Sequence, residues 1–350
     1  MAGNPGDHAR WRLARVAEAG LGVATVALVG LLGLMLFGAP TGLVAMGLAA
    51  IYPPLVLPSA SILSESLFIP LELGAVLAAL HARASPRRLT WALAAGVLVG
   101  LAALTRSNGI LLVPVLALAV WHPPSRTRAA LGPALALAAA ALLTIAPWMV
   151  RNATSFDALV PVSTQDGFAL AGQYNAASQD NEIIPAVWQP PVGVAEYAPL
   201  FRQPGLDEAE LSAELRSRSL DFIRDHPGSV IKATYWNTRR ALSGAGARPL
   251  ERIAGADLGI GTTLSDASVI AFWIAALLAI AGALTPAARR APLVVWVVPF
   301  VLFVSIAPIS GLTRYRLPCD PFVLLLAALA LTAGAARLAA RAHRASGQTH

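Results

Sequence analysis

The chain has 350 residues, 56% of them hydrophobic and 13% charged, with a net charge of +7. Soluble domains carry about 25% charged residues, so this composition excludes an ordinary soluble enzyme and points to a polytopic membrane protein. The positive charge is nearly all arginine, Lys232 being the single lysine, and it gathers at the ends of apolar runs, which excludes a nucleic-acid binder with its basic, aromatic-laced soluble face.

The N-terminal "MAGNPGDHARWRLARVAEAG" is polar for too long to be a cleavable signal peptide, so the first apolar run is a retained span. Apolar runs at 14–37, 41–57, 62–80, 89–105, 109–121, 129–150, 267–284, 292–308 and 317–336 predict an all-α polytopic membrane protein with about nine transmembrane helices. A spanning helix needs about 20 residues, and 109–121 falls short of that. Its flanks support it: Arg83, Arg87 and Arg88 precede its partner and Arg126 and Arg128 follow it, so the two spans between form a hairpin returning to the cytoplasm. Arg289, Arg290, Arg337, Arg341 and Arg344 fall on the same side. The N-terminus, Glu65, Arg106, the 152–266 segment and the "GLTRYRLP" turn then face outside, and the C-terminus is cytoplasmic. Arg10, Arg12 and Arg15 sit against this rule, and a span upstream of Met1 would relieve the conflict.

This gives three expected regions: a six-span bundle over 1–151, a mostly helical extracytoplasmic insert over 152–266, and three spans with a short tail over 267–350. Within the insert, "LDEAELSAELRSRSLDFIRDHPG" carries acids early and arginines late, as a helix does. Pro227 fits the first turn of a second helix, "GSVIKATYWNTRRALSG", where Tyr235 and Trp236 beside Lys232, Arg239 and Arg240 suit a membrane interface. Cys319 is alone and the six histidines lack HxxxH or HExxH spacing, so a cysteine-based metal site and a zinc hydrolase are excluded.

The stretch "ILSESLFIPLEL" places Glu65 and Glu72 in an apolar run, where a carboxylate costs roughly 2.5–3.5 kcal/mol at mid-bilayer. Glu65 follows "YPPLVLPSAS", whose prolines and serines loosen the backbone, so it is expected to face a water-filled, arginine-lined cleft as a site carboxylate. An interfacial glutamate facing headgroups is the plainer alternative. Glu72, deeper on the same helical face, is expected to pair with a buried arginine or tyrosine. Arg106, Arg151 and the Arg314-Tyr315-Arg316 run collect on the outer face at the depth of a lipid phosphate, which guanidinium groups bind in bidentate fashion. Each arginine alone is equally served by snorkelling to headgroups. Together with one acid they suit a polyprenyl-phosphate sugar, the arginines holding the phosphate and the carboxylate positioning or deprotonating an acceptor hydroxyl.

The segments "GLVAMGLAAIYPPLVLPSASILSESLF", "GVLVGLAALTRSNGILLVPVLAL", "APWMVRNATSFDALVPVSTQDGFALAGQYN", "FIRDHPGSVIKATYWN" and "RYRLPCDPFVLLLAALAL" resemble, in order over about 14–340, the GT-C membrane glycosyltransferases, kin of the dolichyl-phosphate-mannose protein mannosyltransferases and the bacterial aminoarabinose transferase. The resemblance implies transfer of a sugar, with inversion, from a polyprenyl-phosphate donor outside the cell membrane to a protein, lipid or glycan acceptor, with membrane lipids as further partners. It implies that Glu65 is the acidic residue of the second outer loop, a catalytic-site acid though not the principal base. It also implies that Arg314, Tyr315 and Arg316 lie near the donor phosphate. We further expect Arg106 and Arg151 at that phosphate, and Asn152, Gln173, Tyr174 and Asn175 at the acceptor or sugar. No cofactor is evident, although a carboxylate with waters can hold a divalent ion.

Such enzymes begin with a span and a large outer loop carrying the catalytic aspartate, whereas this chain starts at what looks like the second span. Asp7 lacks the surrounding pattern, so the chain as given is expected to lack its base. A secondary transporter, a non-catalytic envelope-assembly protein binding a lipid phosphate, and an O-antigen ligase or polymerase stand as alternatives. The first would show inverted repeats, and none is visible. The second would tolerate replacement of Glu65 and the arginines, and the third shares the lipid-linked substrate and the outer arginines.

Overall fold

The computed structural model describes residues 5–57, 62–121, 131–243 and 261–346. Arg126, Arg128 and the 58–61 part of the proline–serine stretch lie outside these, as does the side chain of Asp7. The chain is 81% helical, with no strand among the described residues, so the protein is an all-α polytopic membrane protein, as its apolar periodicity predicts.

The described residues form, in order, α1 Pro5–Phe37, α2 Ala39–Ile51, α3 Pro53–Val56, α4 Ser64–Ala84, α5 Arg88–Thr105, α6 Leu112–Val120, α7 Leu131–Phe156, α8 Gln165–Gln173, α9 Ala176–Gln179, α10 Glu208–Asp225, α11 Gly228–Ala241, α12 Thr262–Ala283, α13 Pro286–Arg289, α14 Val294–Ile306 and α15 Asp320–Ser346. Six described helices are long and apolar enough to cross a membrane: α1, α4, α5, α7, α12 and α15. Three shorter apolar helices, Ala39–Ile51, Ser107–Val120 and Val294–Ile306, occupy the remaining expected spans. A helix of 13 residues is about 20 Å long, less than the roughly 30 Å hydrocarbon core. The marginal 109–121 run accordingly begins as a 3₁₀ turn, Ser107–Leu111, before continuing as α6.

α4 is the axis of the bundle and packs on α1, α5 and α6, while α5 lies along α7, α1 pairs with α2, and α15 joins α2 to α12. The main core runs through these helices and includes Leu32, Phe68, Leu73, Leu116, Leu137 and Leu325, all fully buried. Outward-facing residues such as Leu143 of α7 and Leu277 of α12 are largely exposed. In water such a band would be a large apolar patch; against acyl chains it is the ordinary surface of a membrane protein.

Close helix approach depends on small residues. A Cβ placed on Gly96 would sit 2.3 Å from the Leu137 carbonyl oxygen, and one on Gly100 2.6 Å from Thr144 Cβ. This Gly-x-x-x-Gly pair on α5 therefore sets its spacing to α7. Beyond the bundle, α10 opens with a capping box: Asp207 accepts from the Glu210 amide while Glu210 accepts from the Asp207 amide. Pro227 is the N-cap of α11, one position earlier than the first turn expected for it.

The strongest tie between distant parts is a buried pair at the start of α15. Arg316 donates from Nε to Asp320 Oδ1 at 2.9 Å and from Nη2 to Oδ2 at 3.3 Å, with the two side chains 4% and 0% exposed. Tyr52 donates its hydroxyl to Asp320 Oδ2 at 3.0 Å, Arg316 Nη1 donates to the Ala241 carbonyl at 2.6 Å, and the guanidinium lies 3.5 Å from the Phe272 ring centroid. Glu72 lacks such a partner. It is fully buried beside Cys319, and neither carboxylate oxygen has a hydrogen-bond partner. The expected pairing to arginine or tyrosine is therefore corrected: among the described residues neither Glu72 oxygen meets a donor.

Removing one partner of a buried ion pair leaves the other desolvated and costs about 3–5 kcal/mol. Asp320→Ala should therefore sharply lower the unfolding temperature of the detergent-solubilised protein, and an unchanged transition would refute the structural weight given to this pair. Gly96→Leu should cost about 1–3 kcal/mol by overpacking α5 against α7, read in the same unfolding assay; a neutral result would show that the two helices do not meet there.

Candidate functional site

Hairpin succession carries the α2–α4 link, the α5–α6 turn, the end of α7 and the α14–α15 link to one end of the bundle, and the candidate residues with them. α4 starts at Ser64, after extended Leu63, so Glu65 lies in its first turn. Arg106 caps the other end of α5 in extended conformation, which frees its side chain from the helix and turns it across the hairpin. Its Nη1 donates to Glu65 Oε1 at 2.5 Å and to Ser64 Oγ at 3.4 Å, and Ser64 Oγ donates to Glu65 Oε2 at 3.2 Å.

Glu65 is only 2% exposed. It does not look into an open cleft, as the sequence leads one to expect; it is closed over by Arg106. With both oxygens engaged, it can act as a base only by giving up the ion pair, so its geometry suits orientation of Arg106. Arg106 keeps capacity beyond this pair, because among the described residues its Nε has no hydrogen-bond partner.

The 3₁₀ segment Thr313–Cys319 brings in the second arginine. The guanidinium carbons of Arg106 and Arg314 each lie 4.9 Å from the Tyr315 ring centroid, and Arg314 Nη2 donates to the Tyr315 hydroxyl at 3.1 Å. Glu65, Arg106, Tyr315 and Arg314 thus form one cluster of three elements remote in sequence. Two guanidinium groups thus approach one aromatic ring, and among the described residues Glu65 pairs with Arg106; guanidinium groups gathered in this way are suited to bind an anion in bidentate fashion. Among the described residues no group of three or more His, Cys, Asp or Glu side chains is placed to hold a metal ion.

The other expected site residues are placed elsewhere. Arg316 points away, its donors engaged by Asp320 and Ala241 in the buried pair above, so it is corrected from a phosphate ligand to a structural cation. Arg151, exposed at the end of α7, donates to Asn152 Oδ1 at 3.0 Å and lies 5.0 Å from the Trp148 ring centroid, an arrangement that suits an interface arginine. Asn152 is buried and donates to the Val160 carbonyl at 3.0 Å.

Gln173, Tyr174 and Asn175 are buried and already bonded, so no polar group of theirs is open to a sugar. Gln173 donates to the Ala186 carbonyl and accepts from Asn237, both at 3.0 Å. The Tyr174 hydroxyl donates to the Pro308 carbonyl at 2.8 Å, and burial pushes its pKa up to about 12. Asn175 caps α9 by accepting from the Ser178 amide. Sequence reasoning missed Ser64 and Asp320, and it read Arg240 as an interface cation where the structure buries it. Asp320 had a signal, standing four residues after Arg316 in helical register; Arg240, whose partners are carbonyls 54 and 55 residues away, had none.

No curated protein and no solved structure matches the chain. Residues 8–150, which hold α1 to α6 and most of α7, match the family model described as dolichyl-phosphate-mannose-protein mannosyltransferase. The matched stretch contains Glu65 and Arg106 but ends before Arg314 and Tyr315. Over residues 8–150 the chain is therefore similar to the dolichyl-phosphate-mannose-protein mannosyltransferases, in agreement with the resemblance to membrane glycosyltransferases.

Proposed function

We propose that the protein transfers a sugar from a polyprenyl-phosphate donor to an acceptor at the extracytoplasmic face of the cell membrane, inverting the anomeric carbon, with Arg106 and Arg314 as the phosphate-binding pair. The observation that carries this reading is the convergence of both guanidinium groups on Tyr315. A polyprenyl phosphate leaves with its bridging oxygen once the C1–O bond breaks, and that oxygen gains negative charge in the transition state. Fixed cations at that point stabilise it without reorganisation. Sidedness rests on Arg83, Arg87, Arg88, Arg289, Arg290 and Arg337, which the hairpin order gathers at the opposite end of the bundle.

Glu65 serves as a positioning residue in this scheme. Its carboxylate fixes the rotamer of Arg106, so that the guanidinium is already in place when the donor arrives. Arg151, set on Trp148 at the end of α7, marks the headgroup level and is not assigned to the phosphate.

Two outcomes test this. A charge-assisted hydrogen bond to phosphate contributes about 1.5–3 kcal/mol, so Arg106→Gln or Arg314→Gln should weaken binding of farnesyl phosphate to the purified protein by roughly tenfold or more. Unchanged affinity in both variants would remove the phosphate assignment. For Glu65→Gln, a positioning role predicts a donor KM raised about tenfold with kcat largely kept; loss of kcat together with the acid limb of the pH–rate profile would make Glu65 a general base instead.

A further inference from the structure

Arg240 is among the largest fully buried side chains of the protein, at 1% exposure. Its Nη1 donates to the Pro185 carbonyl at 2.8 Å, and its Nη2 donates to the Ala186 carbonyl at 2.8 Å and to Asn237 Oδ1 at 2.7 Å. Among the described residues no carboxylate pairs with it. Burial pushes its pKa down to about 10, so it stays charged at neutral pH. A buried cation without a counter-ion is costly, and a methionine would fill the same space without that cost. The guanidinium therefore does something that packing alone does not require.

What it holds is clear from its neighbours. Ala186 has a φ of 53°, a left-handed conformation that only surrounding contacts sustain in a residue other than glycine, and its carbonyl accepts from both Gln173 and Arg240. On the other side, a Cβ at Gly311 would lie 2.8 Å from Arg240 Nε and 3.0 Å from Asn237 Cα. The 308–316 segment thus lies directly on α11, and three further contacts fasten it there. Tyr174 donates to the Pro308 carbonyl, Ile309 packs into the cluster of Tyr174, Ala186 and Ala233, and Arg316 donates to the Ala241 carbonyl. Arg314 and Tyr315 sit between these anchors, on a 3₁₀ segment seven residues long. Runs beyond 3–4 residues are uncommon because the hydrogen-bond geometry is poor, so this one is held from outside.

We infer that Arg240 is a positioning residue for Arg314 and Tyr315: by locking α11 and the 185–186 turn against Gly311, it fixes where the 3₁₀ segment presents its arginine and tyrosine. The inference rests on the reading of Arg314 as a phosphate ligand for its functional consequence, but not for the clamp itself.

Two variants of the full-length protein test it, Arg240→Met and Gly311→Ala, the second keeping the guanidinium and pressing on it. Hydrogen exchange of the 308–316 amides should quicken by about tenfold or more in both, while the α4–α5 hairpin stays unchanged. Affinity for farnesyl phosphate should fall several-fold in Arg240→Met, and the same substitution should have little further effect in an Arg314→Gln background, since coupled residues are non-additive. Unaltered exchange at 308–316, exchange rising equally in α4–α5, or fully additive losses of affinity would each overturn the inference. Failure of the wild-type protein to bind farnesyl phosphate would instead refute the phosphate reading, with the exchange data still deciding for or against the clamp.

Discussion

The structure depends on one desolvated ion pair. Arg316 and Asp320 meet at the point where the 3₁₀ segment becomes α15, and through Tyr52, Ala241 and Phe272 they reach the α2–α3 junction, α11 and α12. Two charges in an apolar setting are tolerated only when every remaining donor and acceptor is satisfied, and here those requirements draw four separate elements to one place. The carboxylate also sits at the N-terminus of α15, where the helix dipole favours it. Glu72 shows the contrary case. It is as deeply buried as Asp320, yet among the described residues its oxygens meet no donor.

From that junction the site follows. The buried pair fixes the lower end of the 3₁₀ segment, and Arg240 with Tyr174 fixes the part above it, so Arg314 and Tyr315 are held between two anchors. The second arginine comes from another route: Arg106 leaves the end of α5 and is oriented by Glu65 and Ser64 at the start of α4. The two routes meet at the Tyr315 ring. Preorganisation of this kind places the cost of bringing two guanidinium groups together on folding, which is what the proposed phosphate-binding role requires.

The fold was largely legible in the sequence because a bilayer imposes length and polarity on each span. The nine apolar runs correspond to six full-length helices and three short ones, and the α10 helix could be read from its acid-to-base gradient. The site was legible in part. Arg106, Arg314, Tyr315 and Glu65 could be named from charge in an apolar context, but not their pairing, since Glu65 and Arg106 are 41 residues apart and only the α4–α5 hairpin joins them. Arg316 was indistinguishable from Arg314 by composition: positions two apart on a 3₁₀ turn point in different directions, and its proximity to Asp320 decided its role. Gln173, Tyr174 and Asn175 looked like sugar-binding polar groups because a sequence does not show that their hydrogen bonds close on other groups of the protein, those of Gln173 and Asn175 within the insert and that of the Tyr174 hydroxyl on the Pro308 carbonyl.

On the proposed reading, Arg106 and Arg314 share one anion. A cryo-electron microscopy map of the protein with a bound polyprenyl phosphate tests it most directly. Phosphate density is expected within hydrogen-bonding distance of both guanidinium groups, beside the Tyr315 ring, with the Glu65–Arg106 pair intact. Density at Arg151 and Trp148, or a phosphate touching neither Arg106 nor Arg314, would contradict it.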